Sequence, residues 1–193
     1  ISDVTAERQG REGVVFVGGF QHPPNIDAVE FYAKEIWPLF RKQCPGVPTH
    51  IIGSRMPDRL RKLGESHGLN MLGFVEDLMP YYMESVLSIA PLRYGAGVKG
   101  KVNQALSYGL PVVGTSTALE GMGLEHGRQA MLADSAEAFA AAMVEAYSDQ
   151  ALWSALSENG QHSLRDRFTP QVARDALDAA LRVGVPGWAG RSH

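Results

Sequence analysis

Cysteine is almost missing from this 193-residue chain. Cys44 stands alone, which excludes an internal disulfide and leaves no cysteine cluster for zinc. So little cysteine suits a reducing compartment, and a cytoplasmic protein is expected. Long apolar runs are missing too. None approaches the roughly 20 residues that span a bilayer, and none is expected to act as a signal peptide. Peripheral membrane contact by a longer chain is the one membrane role left open. Charge of one sign is scarce: the formal net charge is -3 and no Lys/Arg block is long, which excludes a general grip on nucleic acid. His50, His67, His126, His162 and His193 are not spaced with carboxylates as metal ligands would be, so no metal is expected. There is no internal repeat and no low-complexity segment. A starting methionine is absent as well, and Ile1 suggests a piece excised from a longer, two-domain chain.

What is present belongs to a soluble globular protein. Hydrophobic residues make up 45% and charged residues 20% of a length that fills one well-cored domain but not two. We therefore expect a single domain over 1–193, with its core at about 11–183 and a loop tail at 184–193. GVVFVGG (13–19) is a β-branched run closed by glycines, the mark of a buried parallel strand. IDAVEFYAKEIWPLFRKQ (26–43) has helical spacing, and Pro38 predicts a kink or an early end. Further strands are expected at 49–54, 69–75, 86–92, 110–116 and 128–134, with helices at 56–68, 76–85 and from near Val98 to Gly109. Helices at 135–147 and about 149–165 follow, the first capped by Asp134 or Ser135, and a last one is capped by Thr169 ahead of Pro170. Strand and helix alternate through connections too long for hairpins. That pattern predicts a parallel sheet of about six strands with helices on both faces. Such sheets take ligands beyond the carboxyl ends of their strands, which directs attention to loops 18–25, 53–57, 74–78, 92–99 and 115–123.

The run GAGVKGKV (95–102) comes within one residue of a P-loop, with Val102 where a magnesium-binding hydroxyl belongs. It follows the fourth expected strand rather than the first. VVFVGG, THIIGS and LPVVGT close on Gly, Ser or Thr, with no aspartate to hold a metal. An ATPase loop is therefore disfavoured. The glycines Gly95, Gly97 and Gly100 nevertheless let a backbone turn its amides toward a ligand. Arg93, Lys99 and Lys101 supply charge without a metal, and a helix start points at the same place. This is chemistry for a diphosphate; the alternative is a solvated basic loop.

The stretch APLRYGAGVKGKVNQALSYGLPVVGTSTALEGM (90–122) resembles the donor-binding half of group 1 glycosyltransferases, also called family 4, which have the GT-B fold. NQALSYGLPVV keeps the register of that family's "LEAMAxGxPVV". VVFVGGFQHPPNIDAVEFYAKEIWPLF, HIIGSRMPDRLRKL and GFVEDLMPYY resemble its opening strand and helix, its second strand and loop, and its base-binding loop. The likeness runs over about residues 11 to 183 in five ordered segments. It implies a Rossmann-like C-terminal domain that binds a nucleotide sugar, a UDP- or GDP-sugar, for retaining transfer without a bound metal or other cofactor. It also implies a partner N-terminal acceptor domain in the same chain. Arg93 and Lys99 would offset charge on the departing diphosphate. Lys101 is a weaker candidate, since a helical turn can point it outward. Gly18 and Gly19 would let the backbone approach phosphates or sugar, and Gly95 and Gly97 would do so in the later loop. Gly73 to Val75, with Phe74 between them, would present backbone groups to the nucleobase.

The sequence departs from the family at its Glu-x7-Glu motif. Ala96 replaces the first glutamate and Gln104 the second; Gln104 can still hydrogen-bond a ribose, without a carboxylate's charge. Glu120 in the next loop is the remaining acidic candidate. Arg55 lies at the right sheet end for phosphate, with pairing to Asp58 or Glu76 as its alternative. His22 reads as a turn residue ahead of two prolines, and Phe31, Trp37 and Phe40 as packing. Cys44 has no triad to make it a nucleophile. Two rival functions are a sugar-nucleotide epimerase half, which would need more acidic and histidine residues in these loops, and a non-catalytic scaffold with a degenerate donor site.

Overall fold

β-branched and aliphatic runs give six strands: β1 (Val14–Val17), β2 (Thr49–Ile52), β3 (Asn70–Gly73), β4 (Leu87–Ala90), β5 (Val112–Gly114) and β6 (Met131–Leu132). In the computed structural model, which describes residues 7–95 and 100–167, they form one sheet of order β3-β2-β1-β4-β5-β6. Every pairing is parallel, with Val14 set against Thr49 on one side and Leu87 on the other. Helices cover both faces, so the central strands have no alternation of exposure: Val14, Val15, Phe16, Ile51, Leu87, Ile89, Val112 and Val113 are all buried. The expected α/β sheet is the observed one.

The helices are α1 (Pro23–Phe31), α2 (Trp37–Gln43), α3 (Asp58–Ser66), α4 (Met79–Glu84), α5 (Gly100–Ser107), α6 (Ser116–Leu119), α7 (Ala136–Ser148) and α8 (Gln150–Arg167). The expected helix at 26–43 begins three residues early, on the His22 cap, because Pro23 and Pro24 fit its first turn. Pro38 neither ends it nor appears as a simple kink. Instead α1 runs into a π-helical turn (Tyr32–Ile36), in which the Trp37 N–H bonds to the Tyr32 carbonyl. That wider turn makes Trp37 and Pro38 the first positions of α2, where a missing N–H costs nothing. Ser135, rather than Asp134, caps α7, its hydroxyl accepting from the Ala138 N–H at 3.2 Å. The short α6 has no counterpart in the sequence reading. The expected start near Val98 and the helix after Thr169 lie outside the described residues.

The position of α8 decides which sheet edge stays open. Trp153 Nε1 donates to the Val86 carbonyl at 2.8 Å and Ser157 Oγ to the Gly109 carbonyl at 2.7 Å, just ahead of β4 and β5. Gly160 lies against Leu106 and the Gln129 carbonyl, ahead of β6. Thus α8 runs along the N-terminal ends of the strands. Arg11 is fixed at the same edge. It is 8% exposed, donates to the Tyr82 and Ser85 carbonyls, and stacks 5.4 Å from the Trp153 ring centre. The carboxyl ends of the strands are left to loops.

Candidate functional site

At that carboxyl edge β1 and β4 are neighbours, and the strand order runs away from them in opposite directions. This is the switch point at which doubly wound sheets hold ligands. Three strand ends to one side are drawn close by glycine. The Gly18 N–H bonds to the Ile52 carbonyl and the Gly53 N–H to the Gly73 carbonyl. A Cβ on Gly53 would lie 1.8 Å from the Gly18 carbonyl oxygen. At β3 the register shifts between Ile51 and Ile52, so that Gly73 partners Ile52. Gly73 turns there with φ 74°, a conformation glycine adopts without strain. Beyond it Phe74 is 72% exposed, while Val75 packs partly against the core.

Two cations reach the N-terminal half of α1, Arg93 from the β4–α5 connection and Lys101 from the start of α5. Arg93 forks onto Asp27, Nε donating to Oδ2 at 2.9 Å and Nη2 to Oδ1. Its guanidinium carbon lies 4.9 Å from the Phe31 ring centre. The bond to Asp27 holds the Arg93 pKa above even its ordinary value. Nη1 bonds to no described residue. Lys101 does not point outward. Its ammonium donates to Asn25 Oδ1 and lies 4.6 Å from the Phe16 ring centre. Asn25 in turn donates from Nδ2 to the Gly19 carbonyl at 2.8 Å. Gly18 has a packing reason to be glycine, since a Cβ there would sit 2.8 Å from Asn25 Cγ.

Other expected residues lie further from this centre. Gln104 is exposed on α5 and accepts from the Tyr82 hydroxyl at 3.4 Å; Tyr82 stacks on Tyr108 at 5.4 Å. Burial, reinforced by Tyr108, keeps the Tyr82 phenol protonated far above its ordinary range. Arg55 is exposed in a left-handed backbone conformation, φ 56°, and bonds to neither Asp58 nor Glu76. Glu120 is exposed where α6 ends. Gly95 follows Arg93 with φ 121°. Ala96, Gly97 and Lys99 lie outside the described residues. His22, read as a turn residue, is the exposed cap of α1, and Phe31, Trp37 and Phe40 are buried. Among the described residues no three His, Cys, Asp or Glu side chains cluster as metal ligands, and no helix is long and apolar enough to cross a membrane.

Sequence reasoning missed Asn25 and Asp27. The signal was a polar pair in PPNID, six and eight residues past Gly19, where a helix start faces the strand ends. Nothing in the sequence said that their partners would come from residues 93 and 101.

The model of the family Glycosyl transferases group 1 matches residues 11–149. A Klebsiella pneumoniae protein, the uncharacterized 44.6 kDa protein in the cps region, is 30% identical over 135 residues, covering 66% of this chain and 35% of its own. Among solved structures, TarM of S. aureus superposes with a TM-score of 0.77 at 14% identity, over 92% of this chain and 37% of that one. Anabaena HepE in complex with UDP and glucose gives 0.69 at 17%, over 92% and 49%. The C-terminal domain of a group 1 family protein, LpcC from Francisella tularensis, gives 0.65 at 14%, over 88% and 95%. The chain thus spans about a third of its curated relative's length and nearly all of one isolated C-terminal domain.

Proposed function

The chain belongs to the glycosyl transferases of group 1, and on that premise we propose that it is the donor-binding, C-terminal half of a family 4 enzyme with the GT-B fold. It binds a UDP- or GDP-sugar across the carboxyl ends of β1 and β4. The transfer it serves is retaining and metal-independent, onto an acceptor held by an N-terminal domain. One observation carries this reading: Arg93 and Lys101 converge on Asp27 and Asn25, near the start of α1, where the strand order reverses.

In this reading Arg93 and Lys99 take the charge of the departing diphosphate. Fixed cations do this without reorganising as the bond breaks. Arg93 keeps Nη1 for the task while Asp27 holds its other edge. Lys101 adds charge from the β1 side, Gly19, Gly95 and Gly97 bring backbone close to the phosphates, and Arg55 waits at the end of β2. Phe74 and Val75 frame the base, and Gln104 and Glu120 serve ribose or sugar hydroxyls in place of the family's glutamates. The UDP in the HepE structure supports testing a uridine donor first.

The test is calorimetric titration with UDP and GDP, in EDTA and in magnesium. We expect metal-independent binding that Lys99→Ala weakens about ten-fold, or about 1.4 kcal/mol, the scale of a charge-assisted contact. Failure of both this chain and the complete protein to bind either nucleotide overturns the proposal in favour of a scaffold.

A further inference from the structure

We propose that Asn25 is the positioning residue for Lys101, and that Asn25 and Lys101 together replace an anion site that α1 cannot form alone. This rests on the donor-domain reading above.

Doubly wound folds commonly seat a pyrophosphate on the amides that open the first helix. Here those amides are spent or missing. Pro23 and Pro24 have no N–H, and the Asn25 N–H bonds to the His22 carbonyl at 3.0 Å. Upstream, the Gly18 and Phe20 amides bond to the Ile52 and Ser54 carbonyls at 2.9 Å, and the His22 amide bonds to the Gly19 carbonyl at 3.3 Å. From 18 to 25, only Gly19 and Gln21 keep an amide that no described residue engages. No Lys or Arg occurs in that stretch either. A cation must therefore come from elsewhere in the fold, and Lys101 brings one across the β1–β4 seam.

A lysine side chain is long and rotatable, so delivering its charge to one point needs an acceptor that is itself fixed. Asn25 meets that need. It is 8% exposed, its Nδ2 is tied to the Gly19 carbonyl, and its Cγ fills the space that Gly18 leaves by lacking a Cβ. The Phe16 ring beneath the ammonium adds a second, uncharged contact. The chemistry of the acceptor matters. An amide oxygen orients the ammonium without placing a negative charge where phosphate must sit. Asp27, two residues on, gives Arg93 a full countercharge. The two partners thus divide the work: one steers a cation with a neutral group, the other braces a cation as an ion pair.

The experiment is a double-mutant cycle on UDP affinity, with GDP in parallel and uridine and guanosine as phosphate-free controls. Wild type, Asn25→Ala, Lys101→Ala and the double variant are compared. Each single change is expected to weaken nucleoside diphosphate binding about ten-fold, with no further loss in the double variant and no change toward the nucleosides. Wild-type affinity in Asn25→Ala, losses that multiply, or equal weakening toward the nucleosides would each overturn the proposal. Asn25→Asp guards against misfolding, because it keeps size and acceptor. It is expected to melt near the wild-type temperature yet bind UDP at least ten-fold more weakly, and wild-type affinity there also overturns the proposal. A wild-type chain and complete protein that bind neither diphosphate refute the donor-domain reading itself, a separate failure.

Discussion

Glycine acts at this site chiefly by permitting close approach. Gly53 is the sharpest case, since a Cβ there would stand 1.8 Å from the Gly18 carbonyl oxygen and 2.9 Å from the Phe20 ring. Backbone on one side and an aromatic ring on the other leave no flexible chain end to yield. Gly53→Ala should therefore destabilise by about 3 kcal/mol, the upper range for forcing atoms into a packed region. A urea melt measures this. A loss below about 1 kcal/mol would show that the β1 and β2 loops part easily. The sequence announced Gly18 and Gly53 as strand ends, and each directly follows its strand, whereas Gly73 was expected inside a strand and closes β3. It did not announce why three of them touch, because that depends on β1, β2 and β3 being neighbours. The direction of Lys101 stayed open in the sequence for a related reason: helical spacing fixes the angle between residues of α5 but not which side of α5 meets β1.

Secondary structure was legible wherever one strong local preference ruled. All six strands lie inside the runs expected of them, and Ser135 is one of the two caps named for α7. Legibility failed where tertiary packing overrode local preference. Of the run at 128–134 only Met131 and Leu132 form β6, since Gly127 and Ala130 close a turn just before it. Pro38 is the clearest example. Read in isolation it breaks a helix, yet the π turn moves it to a helix start while Tyr32, Ala33 and Ile36 stay buried. This makes a quantitative prediction. Proline inside a helix costs about 3 kcal/mol against alanine, but at a first position it costs little. Pro38→Ala should then change stability by less than about 1 kcal/mol in chemical denaturation. A gain near 3 kcal/mol would mean that proline strains this helix after all.

At the scale of the molecule, the chain matches only part of the length of its relatives. It spans 35% of its curated relative and 37% of TarM. On the proposed function it should bind a nucleotide sugar and transfer nothing, as followed by release of nucleotide diphosphate in the presence of an added acceptor. Turnover by this chain alone would contradict the division of labour between the halves. The seam between β1 and β4 has a consequence in time as well as in space. β1, β2 and β3 come from one continuous stretch of chain and β4, β5 and β6 from the next, whereas the seam must bring Val14 to Leu87. Each half of the sheet can therefore assemble from near neighbours, and the seam closes the longest loop, the step that slows folding most. A molecule lying across β1 and β4 clasps the two halves after they have met. Its effect falls on the rate at which they come apart, and it leaves the rate at which they find each other unchanged.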